Sequence, residues 1–299
     1  MAKKEIEKTT VFDNIDPEVL KRIQSLRLID DEMMTVVFNG DKKATEFLLK
    51  ILLNREDLKV KKSMTQVQKQ NLFGHSVKLD IVAEDIYKQE YNIEIQRANS
   101  GAGARRIRYH QAMLDSHTLK KNQNWEALPN LYIIFILEND LFGKAEAVYK
   151  VKKTIDTKDE DGNYLNFDDG CNIMYVNGSY RGNNPLGKLM HDFSARNADE
   201  MYYEELARRV RFHKQDQKGV QMVSKIVEEY GDERAAEALQ KGLQQGIQQG
   251  MQQGAQQNAI ENAIALLNEG DSPEKVSRCI RLPLEQVLEL QKTLPAKTN

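Results

Sequence analysis

The sequence predicts an α/β fold, a mixed sheet flanked by helices, with a C-terminal all-helical extension. Three observations predict it. Leu131 to Leu137 (LYIIFIL) is a continuous apolar run of strand length, the pattern of a strand covered on both faces. Strand-like segments before residue 240 alternate with segments of helical period, which calls for helices packed against a sheet. Near residue 240 the composition changes to a Gly/Gln repeat followed by short, capped helical segments.

The elements follow in order. Residues 1–27 read as an N-terminal extension; its start, MAKKEIEKTT, is charged and has no apolar core, so it is not a secretory signal. Asp30 to Asn54 reads as two amphipathic helical segments broken at Asn39-Gly40, with Met33, Val36, Val37, Phe38, Phe47, Leu48, Ile51 and Leu52 facing the core. Lys59 to Gln68 reads as a strand, Asn71 to Gly74 as a turn, and Ser76 to Glu84 and Glu90 to Gln96 as two further strands. A flexible loop, Asn99 to Gly103, precedes a helix from Ala104 to Leu119. Ala147 to Ile155 and Asn172 to Val176 read as strands on either side of a DEDGN turn, and Pro185 to Tyr230 is largely helical.

The core unit is therefore drawn at 28–236, a Gly/Gln helix or linker at 237–258 and a small helical module at 259–299. The repeat KGLQ-QGIQ-QGMQ-QGAQ places Gly242, Gly246, Gly250 and Gly254 in a period of four. Each glycine costs roughly 1 kcal/mol of helix stability relative to alanine. Two readings stand: a self-association seam with close backbone approach, or a solvated linker. Beyond it, Ala259 to Asn268 reads as a helix stopped by Gly270; Ser272-Pro273 and Pro283 start two more. The three resemble a helix-turn-helix, but the last carries Glu285 and Glu289 against Lys292, a poor surface for phosphate. A plain helical or oligomerisation module is the better reading, and a homo-oligomer is expected through this tail.

Composition excludes several classes. No apolar run reaches the roughly 18 residues of a membrane span. Cys171 and Cys279 lie far apart without a CxxC partner, which argues against a structural zinc site or disulfide framework and leaves a cytoplasmic location as the default. GxGxxG, P-loop and GxSxG patterns are absent. His110 and His117 share a helix without HExxH context and read as surface histidines. Asp156 to Tyr164 lacks EF-hand spacing and reads as a hairpin turn. The 43 basic and 45 acidic residues leave a net charge of −2, so nothing global advertises a nucleic-acid partner.

The informative segment is KLDIVAED followed by YNIEIQ. Strand alternation puts Lys78, Asp80, Val82 and Glu84 on one face, and Asn92, Glu94 and Gln96 on one face of the next strand. A hairpin with a five-residue loop, Asp85 to Gln89, sets Asp80 opposite Glu94, Val82 opposite Asn92 and Lys78 opposite Gln96. Like charges face to face destabilise a sheet. They require either full solvation, as on an ordinary wet hairpin face, or a divalent cation between them. The neighbouring charge favours the cation. Lys59 to Lys78 holds five lysines and no acid, and Arg97 to Lys121 holds six basic residues against Asp115 alone. Positive walls around an acidic centre suit a nucleic-acid backbone that is gripped and cut. Arg97, Arg105 and Arg106 are thereby candidate phosphate contacts, and the helix that follows the Gly-rich loop offers its N-terminal amides.

Taken together, these stretches resemble the Rpn family of recombination-promoting nucleases and transposases, within the PD-(D/E)XK nuclease superfamily. The resemblance runs from about Leu28 to the C-terminus. It is carried by DDEMMTVVFNG (Asp30 to Gly40), FLLKILLN (Phe47 to Asn54), the D…ExQ pattern of KLDIVAED and YNIEIQ, Arg106 and Tyr109 of RRIRYHQ, and LYIIFIL. It implies a restriction-endonuclease-like core and Mg²⁺-dependent DNA endonuclease activity, with Mn²⁺ as a substitute metal, connected with recombination or transposition. Asp80 and Glu94 would be metal ligands, joined by a first-helix acid, Asp31 or Glu46. Arg106 and Tyr109 would orient the scissile phosphate or support the ligands. Gln96 stands where the superfamily usually has lysine, and Leu79 stands where proline is common. Lys78, placed opposite Gln96 by the hairpin register, is the candidate for the missing charge. Two rivals remain: a catalytically degenerate core that binds DNA or a protein, and a nuclease used in defence against mobile DNA.

Overall fold

The computed structural model describes residues 12, 15–72, 74–97 and 102–294. The MAKKEIEKTT start, Phe73 of the expected turn and residues 99–101 of the expected loop lie outside the described residues. Two compact units divide the chain, residues 1–230 and 231–299.

Within the first unit the helices are α1 (Pro17–Ser25), α2 (Asp31–Phe38), α3 (Lys42–Leu53), α4 (Ala104–Thr118), α5 (Pro185–Ser194) and α6 (Glu204–Gln215). The strands are β1 (Val60–Lys69), β2 (Val77–Asp85), β3 (Glu90–Gln96), β4 (Leu131–Leu137), β5 (Val148–Lys150), β6 (Thr154–Lys158), β7 (Tyr164–Asn166) and β8 (Cys171–Asn177). Six of them form one mixed sheet in the order β1-β2-β3-β4-β8-β5. β1, β2 and β3 run antiparallel in succession, while β3, β4 and β8 are parallel. The LYIIFIL run is the central strand, and its apolar character on both faces follows from that position. Ile134 and Ile136 join Ile93, Ile95, Met33, Phe38, Leu48 and Phe193 in one core. Ile133 and Phe135 join Ile107, Met113 and Leu114 of α4 in a second. The sheet is thus covered by helices on both sides.

Two expectations change in detail. The break at Asn39-Gly40 falls where expected, with Gly40 at φ 68°, in the left-handed region that glycine adopts without a Cβ penalty. The first helix, however, is not amphipathic: every residue from Glu32 to Phe38 is buried. α2 lies between α6, α3 and the strands β1 and β2, and Arg22 binds the buried Glu32 carboxylate at 3.0 Å. The strand expected from Ala147 to Ile155 is two strands. β5 closes the edge of the main sheet beside β8, whereas β6 pairs with β7 across the expected turn in a separate, exposed hairpin. Asp159 caps that turn by accepting the backbone N–H groups of Asp161 and Asn163. A strand exposed on both faces has no place in the covered sheet, and no reading of alternation alone separates the two pieces.

The Gly/Gln repeat is helical, inside α7 (Gln217–Glu269). Among the described residues, a Cβ added to Gly242, Gly246, Gly250 or Gly254 would meet nothing within 4 Å. Within the second unit the end of α7 packs Ala263 and Leu267 against Val276 of α8 (Pro273–Ile280) and Val287 of α9 (Leu284–Thr293). Ser272 caps α8 as its sequence suggests, accepting the N–H of Lys275. Among the described residues no helix is long and apolar enough to cross a membrane.

Ile134 is fully buried at the centre of the sheet. Ile134→Ala is expected to cost about 2–5 kcal/mol, read as a lowered urea midpoint with an unchanged slope; an unchanged midpoint would contradict the central position of β4.

Candidate active site at a splayed strand pair

The hairpin register is the expected one. β2 pairs with β3 at Ile81↔Ile93, Val82↔Asn92, Ala83↔Tyr91 and Glu84↔Glu90. The ladder ends at Ile81↔Ile93, and beyond it carboxylates take over from backbone carbonyls. Ile95 N–H donates to Asp80 Oδ2 at 2.8 Å, and Asp80 N–H donates to Glu94 Oε1 at 3.4 Å. The two acids are therefore brought together across a gap that they themselves bridge.

A change of face occurs at the same point. Val77 and Leu79 pack in the core under α4, yet Ile81 and Ala83, of the same parity, pack in the core on the other side. Val67 of β1 likewise belongs to the α4 side, while Thr65 donates to the Thr35 carbonyl of α2. The switch lies between Thr65↔Ile81 and Val67↔Leu79. Gln66, at φ 54°, occupies the left-handed region there and its side chain hydrogen-bonds Asp80. Such a conformation is uncommon for a non-glycine residue and marks a place held by its surroundings.

The expectation that Lys78 confronts Gln96 is corrected by the ladder, which stops short of both. No ladder pair joins Lys78 to Gln96; Lys78 sits opposite Gln68 of β1, and its ammonium lies 5.1 Å from the centroid of the Tyr230 ring. Gln96 pairs with Leu137 of β4 and is partly exposed.

Glu94 is fully buried and points to the α4 side. Desolvation, and next the Asp80 charge, raise its pKa well above the ordinary carboxylate range. Asp80 is raised as well, by desolvation first; its backbone bond to Ile95 opposes this and the charge of Asp31 adds to it. Asp31, in the first turn of α2, is thus within electrostatic reach of Asp80. Glu46 is elsewhere, accepting Val60 N–H at 3.0 Å and pairing with Lys50 and Lys59. Of the two first-helix acids considered, only Asp31 approaches the pair.

Among the described residues, no three His, Cys, Asp or Glu side chains stand close enough together to make a ready ligand set. The two central acids nevertheless fit a divalent cation. They are hard oxygen donors that repel each other, and Glu94 Oε2 is buried without a hydrogen-bond partner among the described residues. A doubly charged ion would remove both costs at once.

α4 covers this pair with basic groups. Arg106 Nη2 lies 3.6 Å from Glu94 Oε2, and Arg106 Nε donates to His110 Nε2 at 3.3 Å. His110 was expected on the surface. It is buried, with Nδ1 3.7 Å from Glu94 Oε1. Burial, and then Arg106, lower its pKa to about 4, so the ring is neutral at pH 7. Its position four residues after Arg106 was the available signal, since i and i+4 share a helix face. His117 is on the surface as expected. Tyr109 does not reach the acids: its hydroxyl donates to the His75 carbonyl and accepts from Asn71 Nδ2 at 2.9 Å, fastening the turn before β2 to α4.

Lys78, Arg105, Arg106, Tyr109, His110 and His75 line a cleft of about 510 Å³, which meets the surroundings of the acids through Arg106 and His110; Asp80 and Glu94 do not line it. Arg97 is not part of it. It binds Asp30 at 3.3 Å and Glu138 at 3.2 Å, in a cluster with Arg27.

A mixed six-stranded sheet flanked by helices, with a helical C-terminal region, is consistent with the PD-(D/E)XK nuclease fold. Comparison of the sequence with family models agrees. The model of the PD-(D/E)XK nuclease family transposase matches residues 39–178, from the residue after α2 to the residue after β8, and over that region the chain is similar to this family. Asp80, Glu94, Gln96 and α4 lie inside the match; Asp31 precedes it. No curated protein and no solved structure matches the chain. The family is one of nucleases related to transposition, a class that acts on DNA and generally uses divalent metal ions.

Raised carboxylate pKa values make the metal-free protein pH-sensitive in a definite sense. The folded state keeps protons on Asp80 and Glu94 that the unfolded chain, with carboxylates near about pKa 4, has released. Stability must therefore fall as pH rises from that range toward neutrality and above. Urea midpoints measured from about pH 5 to about pH 8 should decline in the parent and decline less in Glu94→Gln; equal slopes would remove Glu94 as the source.

Proposed function

We propose that this chain is a divalent-metal-dependent DNA endonuclease, with Mg²⁺ as the ion, serving transposition or recombination. The observation that supports this reading most is the meeting of Asp80 and Glu94 at the sheet splay, where Asp80 N–H donates to Glu94 Oε1 and the other oxygen of the fully buried Glu94 has no hydrogen-bond partner among the described residues. Asp80 and Glu94 would hold the ion, with Asp31 completing the acidic side. When bound, the ion polarises the phosphodiester and lowers the pKa of the attacking water.

The remaining work falls to the chain's own groups. The cleft walls bring Lys78, Arg105 and Arg106 to the phosphate backbone, where charge neutralisation gives affinity that weakens with salt. Arg106, partly exposed and within ion-pair reach of Glu94, can turn its guanidinium from the carboxylate to the scissile phosphate and stabilise developing negative charge there. Gln96 offers a neutral amide, which can orient a water by hydrogen bonding but adds no charge. Lys78 acts as a cation of the cleft wall rather than as a partner of Gln96.

The rival reading, a core that binds DNA or a partner without cutting, draws on that missing lysine. Supercoiled plasmid incubated with Mg²⁺ separates the two. The parent should nick it; Asp80→Ala and Glu94→Ala should fall by about 10³-fold or more, the order expected when a principal charge-stabilising group is lost. Lys78→Ala should lose less than either and show a weaker dependence on salt. Nicking that persists undiminished in both acid variants would assign the activity to a contaminant and favour the binder.

The tail is proposed to assemble copies of the chain. Leu239, Leu243, Ile247 and Met251 recur every four residues along α7 and are exposed, beside glycines whose backbones are open. Light scattering should show an oligomer that becomes monomeric when Leu243 and Ile247 are both changed to Gln; a monomeric parent would refute it.

A further inference from the structure

We infer that His110 is a positioning residue for Glu94, held by Arg106 in the tautomer that carries its proton on Nδ1. This rests on the reading of Glu94 as a metal ligand and adds which of its oxygens faces the ion.

An arginine guanidinium has only donors, so the bond from Arg106 Nε to His110 Nε2 makes that nitrogen an acceptor. A neutral imidazole has one donor and one acceptor, so the proton must be on Nδ1. Nδ1 is buried, has no hydrogen-bond partner among the described residues, and lies 3.7 Å from Glu94 Oε1. The distance is that of a bond that tightens when the carboxylate ionises.

Oε1 also receives Asp80 N–H at 3.4 Å. Two protein N–H groups therefore converge on Oε1, one from the backbone and one from His110. Among the described residues Oε2 has no hydrogen bond; Arg106 approaches it at 3.6 Å, and the buried Asn92 amide also interacts with this carboxylate. The two oxygens are unequal: Oε1 is the held atom and Oε2 the one left to coordinate. Phe135 packs beside the imidazole, with ring centroids 6.4 Å apart, and limits its freedom to turn away. A ligand oriented from behind in this way gains affinity without the orienting group touching the ion.

Three measurements on the full chain test this. In metal-free protein labelled with ¹⁵N-histidine, the His110 resonances, identified by their loss in His110→Asn, should show a pyrrole-type Nδ1 and a pyridine-type Nε2 at pH 7. The reverse assignment, or an even mixture, overturns the inference whatever happens to activity. Mn²⁺ affinity, read by electron paramagnetic resonance of the free ion, should fall about 10–100-fold in His110→Leu and recover to within about 3-fold in His110→Asn, whose amide donates from near the Nδ1 position. Equal affinity in the parent and His110→Leu also overturns it. Circular dichroism checks that both variants fold; should His110→Leu not fold, the tautomer assignment in the parent and the affinity of His110→Asn still decide. A parent that binds no Mn²⁺ while showing the Nδ1–H tautomer overturns the metal reading beneath this one and the positioning role with it, a result distinct from failure of the tautomer alone.

Discussion

The sheet's behaviour at one point governs the rest: two carboxylates are placed against each other where a backbone ladder would otherwise run. Asp80 and Glu94 sit at the end of the β2–β3 pairing, and bonds from Ile95 N–H and Asp80 N–H to their side chains replace the regular ones. Backbone groups in a covered sheet must find partners, so the acids are structural as well as chemical. They satisfy donors that the splay would otherwise strand. The left-handed Gln66 opposite Asp80 and the change of core partners on either side belong to the same device. Continuous pairing through this point would send Asp80 and Glu94 to regular ladder positions and remove the gap between them.

The helices serve that gap from both sides. α2, buried along nearly its whole length, delivers Asp31 near Asp80 from one side. α4 delivers Arg106 and His110 to Glu94 from the other. Acids on one side and a guanidinium on the other polarise the site. The cost of burying Glu94 is met only in part by protein groups, as its raised pKa and unpartnered oxygen show. That residual cost is what a divalent cation would offset, and it is a physical reason for linking metal binding to stability in this chain.

Charge gives a second lesson about scale. A chain of 43 basic and 45 acidic residues has no overall attraction for DNA, yet Lys78, Arg105 and Arg106 gather in one cleft. Screening confines electrostatic reach to roughly 8–10 Å at physiological salt, so the local arrangement matters and the sum does not. Arg97 makes the complementary point. It belongs to the same basic stretch of sequence, but Asp30 and Glu138 neutralise it.

Much of this protein was legible from sequence, where periodicity and spacing carry the information. LYIIFIL specified a central strand, the D…ExQ spacing with its five-residue loop specified a hairpin whose paired positions hold as far as the ladder runs, and Gly40 and Ser272 marked helix ends. Those features are local, and local sterics and hydrogen bonding decide them. Tertiary structure alone decided the rest. Lys78 is not set against Gln96 because the β2–β3 ladder ends at Ile81↔Ile93, and Lys78 instead pairs with Gln68 of β1. His110 became a buried neighbour of Glu94 because α4 packs on that side of the sheet. Asp31 was chosen over Glu46 because Val60, Lys50 and Lys59 claim Glu46 first. In each case a side chain's role depends on partners distant in the chain, and no residue's own period encodes which partner will arrive.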